Sequence, residues 1–113
     1  MLIRFTFNNF CSFNTESEFS MEAPAGKVKT RFPDNYTSTN TEYDLLKTAV
    51  IVGENAGCKS NFIGSLKFLK GLVDVNSHVQ SVGTYVNATS AIKEKHPVQK
   101  FEITFISAKG QIY

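Results

Sequence analysis

The most specific pattern in this chain is the stretch Ala49-Val50-Ile51-Val52-Gly53-Glu54-Asn55-Ala56-Gly57-Cys58-Lys59-Ser60-Asn61. An apolar run leads into a glycine-containing loop that ends in Lys-Ser, which is the layout of a phosphate-binding P-loop, or Walker A motif. The motif has glycine, four residues, glycine, lysine, and then serine or threonine. Cys58 stands where the motif has its second glycine. The stretch therefore predicts a phosphate site with one substituted residue.

The remaining loop residues match what a bound triphosphate needs. Gly53 closes the strand, and Gly57 permits backbone angles that let the loop curl with its N–H groups turned inward. Lys59 is expected to reach the β- and γ-phosphates, and the Ser60 hydroxyl to bind Mg²⁺. We therefore predict that ATP and Mg²⁺ are the ligands. The predicted ATP-binding residues of the loop are Gly53, Glu54, Asn55, Ala56, Gly57, Cys58, Lys59, Ser60 and Asn61.

The flanking sequence predicts an α/β arrangement around this loop. Thr48 to Val52 is a short apolar run suited to a strand buried on both faces of a parallel sheet. After the loop, apolar residues recur at helical spacing: Phe62, Ile63, Leu66, Leu69 and Val73. An ordinary strand-turn-helix connection that happens to contain two glycines is the alternative interpretation.

The cysteine at position 58 is expected to weaken nucleotide binding without abolishing it. Only proline lacks the backbone N–H, so Cys58 leaves the set of amide donors complete. If the position requires a left-handed backbone, a residue other than glycine costs about 1–2 kcal/mol, or roughly a 5- to 30-fold loss of affinity. If the Cβ atom points into the phosphate site, the loss is larger.

Length and charge leave the partner undefined. The chain has 113 residues, which suits one small domain, and its 12 basic and 10 acidic side chains give a net charge of +2. This charge does not argue for nucleic-acid or membrane binding. The first residues have no charged lead or cleavage site of an export signal, and no apolar stretch is long enough to span a bilayer. We expect a cytoplasmic protein in which Cys11 and Cys58 are free thiols.

Four segments are expected within a single partial domain, 1–113. Residues 1–22 form β-strands, first with Ile3, Phe5 and Phe7 on one face and then around 18–21. Residues 23–44 are rich in polar and turn-forming residues and predict a mobile loop. Residues 45–73 contain the strand, the P-loop and its helix, and residues 74–113 contain a helical segment followed by a strand.

The last segment is predicted from two patterns. Valines at helical spacing favour the helical part, and alternation favours the strand, which then turns at 108–110 into a partner strand at 111–113. The residues of the two patterns are Val75, Val79, Val82 and Val86, and Phe101, Ile103 and Phe105.

None of the acidic residues after Ser60 is placed to catalyse hydrolysis. Cleavage of ATP needs carboxylates that hold the metal and activate water, usually at the end of a later apolar strand. Asp74 follows the P-loop helix, Glu94 lies in a Lys-Glu-Lys run, and Glu102 is inside a predicted strand. We therefore assign no catalytic residue.

Three segments together resemble the start of bacterial AAA-type ATPases related to the ABC-ATPase heads of RecF and chromosome-maintenance proteins. The segments are Met1 to Phe13, Glu18 to Met21 and Leu45 to Gly53. The P-loop of these proteins reads Gly-x-Asn-x-x-Gly-Lys-Ser-Asn, which this chain matches at Gly53, Asn55, Lys59, Ser60 and Asn61. The likeness covers residues 1 to about 73.

The resemblance implies an antiparallel β-subdomain beside a mixed sheet that carries the P-loop. It also implies that Asn9, Phe10 and Ser12 approach the ribose and base, and that Asn55 faces the β–γ bridging oxygen. Related proteins carry Walker B and signature motifs in a longer C-terminal part, and their heads dimerise around ATP. We therefore expect a truncated, amino-terminal fragment that needs its C-terminal remainder, and DNA is a partner of the full-length family.

Three functions follow from these patterns. The first is an ATP-binding, amino-terminal portion of such an ATPase, unable to hydrolyse ATP alone. The alternative is a non-catalytic interaction or regulatory module with a decayed P-loop, and the third is DNA binding through the basic residues near Lys27 and Lys93. Self-association is expected as well, because a shortened sheet leaves an edge and an apolar face uncovered.

Overall fold

The computed structural model describes residues 1–54, 58–74, 85–93 and 95–113. They form a small mixed α/β arrangement with antiparallel sheets. A short 3₁₀ helix covers Pro33–Asn35. The other elements, in chain order, are β1 (Leu2–Asn8), β2 (Ser17–Ser20), α1 (Lys27–Arg31), β3 (Tyr36–Ser38), β4 (Asp44–Leu46), α2 (Lys59–Val73), α3 (Ala88–Lys93) and β5 (Lys100–Phe105).

Two sheets organise the strands. The larger one has the order β2-β1-β5, and the smaller one pairs β3 with β4 antiparallel, with Thr37 opposite Leu45. The predicted strand at the amino terminus is confirmed, since Ile3, Phe5 and Phe7 are all buried on one face of β1. The alternation of apolar and polar residues therefore predicts correctly which face of this strand is buried.

The chain divides into two compact units. The first consists of Met1–Phe5, Glu18–Val50 and Glu102–Tyr113, and the second of Thr6–Ser17 and Ile51–Phe101. The core of the first unit is a cluster of Ile3, Leu45 and Ile106, against which Tyr43 packs. Within the described ranges, no helix has the length and apolar character that crossing a bilayer requires.

Aromatic rings fill the core of the second unit, and Phe10 lies at their centre. Its side chain is 1% exposed. Its ring stacks on Tyr85 at 5.5 Å and meets Phe68 at 5.6 Å and Phe101 edge-on at 5.9 Å, measured between ring centroids. Such offset and edge-to-face pairs add to the stabilisation that burial alone provides.

Gly64 lets α2 approach the ring of Phe10. A Cβ atom added to Gly64 would lie 3.7 Å from Cε1 of Phe10. Ser65 is fully buried, and its hydroxyl donates to the Phe62 carbonyl at 2.7 Å. The predicted helix is confirmed, but the predicted apolar face is wrong at Ile63 and Val73, which are exposed. Phe62, Leu66 and Leu69 are partly buried, so the apolar periodicity marks the packed side of the helix only in part.

The predicted buried strand at Thr48 to Val52 is wrong. These residues have no regular secondary structure, and Val50, Ile51 and Val52 are 81%, 40% and 84% exposed. A strand buried on both faces needs neighbouring strands and a layer of cover on each side. The described part of the chain supplies neither at this position.

Segment 23–44, expected to be a mobile loop, contains α1, the 3₁₀ helix and β3. Thr39 and Thr41 bond to each other and to the backbone of Tyr43, so polar side chains order the connection between β3 and β4. In the segment expected to be helical, residues 75–84 lie outside the described residues. Val86 is not helical but forms a β-bridge with Phe10.

The carboxy-terminal strand and turn are confirmed. β5 covers Lys100–Phe105, and the chain turns at Gly110, which has a φ of 80°. The partner segment returns antiparallel, with a bridge between Ile106 and Ile112 and two backbone hydrogen bonds between Phe105 and Tyr113.

Replacement of Gly64 by alanine is expected to stabilise the protein. The methyl group would enter ordinary contact with Phe10, and alanine loses less backbone entropy than glycine in a helix, so the free energy of unfolding should rise by about 0.5–1 kcal/mol. Thermal or denaturant unfolding measures the change. Gly110→Ala is the matched control and should destabilise, because its φ of 80° suits glycine. A Gly64→Ala chain that unfolds more easily than the parent would show that α2 and Phe10 are closer than described.

Candidate nucleotide-binding site

Lys59 is the best-defined residue of the predicted phosphate loop. It is the first residue of α2, and its ammonium group donates to the carbonyl oxygens of Gly53 and Glu54, each at 2.5 Å. The side chain therefore folds back along the loop, and a Cβ atom on Gly53 would lie 3.7 Å from it. Both hydrogen bonds are exposed to solvent. Because of that exposure, an anion can compete for the cation at little cost.

The amino terminus of α2 follows directly. Cys58 is the N-cap residue, is exposed, and makes no side-chain capping hydrogen bond. The first turn is closed by the Phe62 N–H, which donates to the Cys58 carbonyl at 2.9 Å. The N–H groups of Lys59, Ser60 and Asn61 precede this bond and have no partner within the helix. Such a helix end favours negative charge.

The backbone of Cys58 does not take up the left-handed conformation considered from the sequence. Its φ is 19° and its ψ is −3°, outside that region. Asn55, Ala56 and Gly57 lie outside the described residues, so the part of the loop expected to curl around the phosphates is not described. Glu54 and Gly53 are exposed at its start.

Ser12 and Asn61 are brought together although they lie far apart in sequence. The Asn61 side-chain amide donates to the Ser12 hydroxyl oxygen at 2.7 Å. Ser12 lies in a tight turn closed by two backbone hydrogen bonds between Phe10 and Phe13. The segment expected near a nucleotide thus places one of its three predicted residues at the start of α2.

The other two residues of that segment have structural roles. Asn9 is 5% exposed and Phe10 is 1% exposed, so neither side chain can reach a nucleotide in this arrangement. The Asn9 side chain donates to the Val98 carbonyl and accepts from the Asn87 N–H, and Phe10 fills the aromatic core. These hydrogen bonds satisfy a side-chain amide that is buried away from water.

The predicted magnesium ligand, Ser60, is exposed at the second position of α2. In the described ranges, no group of three or more His, Cys, Asp or Glu residues could hold a metal ion. A single hydroxyl does not hold Mg²⁺ by itself, because this ion is bound mainly through carboxylates, waters and substrate phosphates. Ser60 could therefore act as a ligand only together with a bound phosphate.

Polar residues that support the second compact unit were not predicted from the sequence. Asn87 caps α3 by accepting the Thr89 N–H at 2.9 Å, and its amide donates to the Cys11 carbonyl at 2.5 Å. The Gln99 amide donates to the carbonyls of Asn9 and Tyr85. An Asn immediately before a helix is a preferred N-cap residue, and that signal is present in the sequence at Asn87.

Comparisons with protein-family models, with curated proteins and with solved structures found no match.

The two cysteines should differ in reactivity. Burial raises the pKa of the Cys11 thiol, so less of the reactive thiolate is present near neutral pH. Cys58 is exposed. In single-thiol chains made with Cys11→Ser or Cys58→Ser, Cys58 should react faster with iodoacetamide, and the rate at Cys11 should rise steeply as the pH approaches its raised pKa. Mass spectrometry measures both rates, and equal rates near neutral pH would contradict the partial burial of Cys11.

Proposed function

We propose that this chain binds ATP with Mg²⁺ at the loop Gly53 to Asn61, as the amino-terminal portion of an ABC- or RecF-like P-loop ATPase that does not hydrolyse ATP alone. The observation that carries the proposal is the position of Lys59. It begins α2 immediately after the glycine-containing loop, and its ammonium lies 2.5 Å from two carbonyls of that loop. A cation held beside a helix amino terminus is the arrangement that binds phosphate.

The electrostatics of the helix end support the same assignment. The first-turn N–H groups carry partial positive charge. The Cys58 side chain makes no capping hydrogen bond to them, so it does not compete with an anion. Ser60 is exposed next to Lys59, where its hydroxyl could bind a magnesium ion carried by the phosphates. The P-loop ATPase fold remains part of the proposal and rests on the sequence resemblance.

The absence of hydrolysis is proposed on the positions of the acidic residues. Asp74 follows the far end of α2, and Glu102 lies within β5. Glu94, the third acid considered from the sequence, lies outside the described residues. Because an α-helix rises about 1.5 Å per residue, Asp74 is roughly 20 Å from Lys59 along the helix axis. A carboxylate at that distance cannot hold a magnesium ion bound at Ser60 or activate water there.

A second candidate is a non-catalytic interaction module, which the exposure of Val50, Ile51 and Val52 favours. Three successive exposed apolar residues are a surface that a partner protein, or another copy of this chain, could cover. This candidate predicts that ATP leaves the melting temperature unchanged while a protein partner raises it.

Loss of the Lys59 charge should abolish most of the ATP affinity. A charge-assisted hydrogen bond contributes about 1.5–3 kcal/mol, so Lys59→Ala should bind ATP·Mg²⁺ roughly 10- to 150-fold more weakly in calorimetry. Lys67→Ala is the matched control, because it removes the same charge from an exposed position of the same helix. Equal losses in the two variants would refute a specific site at Lys59. Steady ATP turnover by the parent chain that Lys59→Ala abolishes would refute the inactivity claim.

Restoration of the motif glycine should strengthen binding. Cys58→Gly removes a Cβ atom beside the phosphate site while keeping the backbone donor, and we expect roughly a 5- to 30-fold gain in ATP affinity if binding draws this residue into the left-handed region. Cys58→Ala is the control, since it removes the thiol but keeps the Cβ atom and should leave the affinity near that of the parent. An unchanged affinity in Cys58→Gly would show that the substituted residue is not what limits binding.

A further inference from the structure

The hydrogen bond between Asn61 and Ser12 joins the start of α2 to a turn far away in sequence. The Asn61 amide nitrogen lies 2.7 Å from the Ser12 hydroxyl oxygen, and both residues belong to the second compact unit. Asn61 occupies the third position of α2, within the turn whose N–H groups have no helical partner. A contact at this position acts directly on the orientation of those groups.

The turn that carries Ser12 is held firmly from several sides. Phe10 and Phe13 close it with backbone hydrogen bonds of 2.9 and 2.8 Å. The Cys11 N–H donates to the Tyr85 carbonyl at 2.7 Å, and the Asn87 amide donates to the Cys11 carbonyl at 2.5 Å. The Phe13 ring packs edge-on against a neighbouring ring at 4.9 Å. Ser12 is therefore an acceptor whose position is fixed by the surrounding core.

We propose that Asn61 is a positioning residue which, through its hydrogen bond to Ser12, holds the first turn of α2 in the orientation that binds phosphate. This role rests on the proposed ATP site. The bond between Asn61 and Ser12 is then a second contact that fixes the site, beside the contact of Lys59 with Gly53 and Glu54. Fixing the helix end before binding reduces the ordering cost of association, so the bond raises affinity without a contact between the Asn61 side chain and the nucleotide.

A double-mutant cycle tests this role. Calorimetry with ATP·Mg²⁺ compares the parent chain, Ser12→Ala, Asn61→Ala and the double variant. Each single change should weaken binding by about 2- to 10-fold, the range that one hydrogen bond supplies, and the double variant should be no weaker than either single one. Ser12→Thr keeps the hydroxyl group and should therefore bind ATP·Mg²⁺ with the affinity of the parent chain. Asn14→Ala is the matched control, since it shortens an exposed asparagine close to the same turn.

Hydrogen exchange at the Phe62 amide provides a readout that needs no nucleotide. This amide closes the first turn of α2 through its bond to the Cys58 carbonyl. Its exchange, followed by NMR in the free protein, should be faster by a similar factor in Ser12→Ala, Asn61→Ala and the double variant, and unchanged in Asn14→Ala.

The outcomes separate this inference from the proposed function. Parent-like ATP affinity in both single variants, or losses that simply add in the double variant, would overturn the positioning role while ATP binding stands. If the parent chain itself binds no ATP, the proposed function fails. The exchange rates then decide whether Asn61 holds the helix end: equal rates overturn that role and faster rates sustain it.

Discussion

The burial of Phe10 among aromatic rings is the constraint on which the second unit depends. This one side chain contacts rings from three separate parts of the sequence, namely Phe68 in α2, Tyr85 ahead of α3 and Phe101 in β5. Burying such a ring contributes about 1.5–3 kcal/mol or more, which is a large share of the stability of a small domain. Together with the hydrogen bond between Asn61 and Ser12, this packing holds α2 against the turn at residues 10–13.

That packing also places the groups of the candidate site. The turn after Phe10 presents Ser12, and the start of α2 presents Asn61, Ser60 and Lys59. The aromatic core is therefore what brings the Ser12 hydroxyl to a helix end that begins 47 residues later in the chain, at Lys59. Phe10, expected to contact a nucleotide, is instead buried and packs against Phe68 of the helix that Lys59 begins.

The sequence predicts the local elements of this chain better than its packing. β1, α2 and β5 follow from alternation and helical spacing, because each pattern reflects a periodicity that the backbone itself imposes. The run at Val50 to Val52 reads as a buried strand, yet burial depends on neighbours that the run does not encode. Likewise, Gly64, the residue of α2 that lies beside Phe10, carries no apolar signal.

The candidate site divides in the same way. The loop motif places Lys59, Ser60 and Asn61 at the start of a helix, and α2 does begin at Lys59, because this boundary depends on nearby residues only. The sequence does not indicate that the Asn9 side-chain amide is hydrogen-bonded to Val98 and Asn87, because those partners are distant in the chain. Long-range polar contacts of this kind become visible only once the packing is known.

An ATP titration followed through the backbone amide NMR spectrum shows whether and where this chain binds the nucleotide. We expect ATP·Mg²⁺ to shift the amide signals of Lys59, Ser60, Asn61 and Ser12 most, while those of the β3–β4 sheet stay in place. We also expect the shifts to disappear in Lys59→Ala. An unchanged spectrum at millimolar ATP, or shifts centred away from the start of α2, would contradict binding at this helix end.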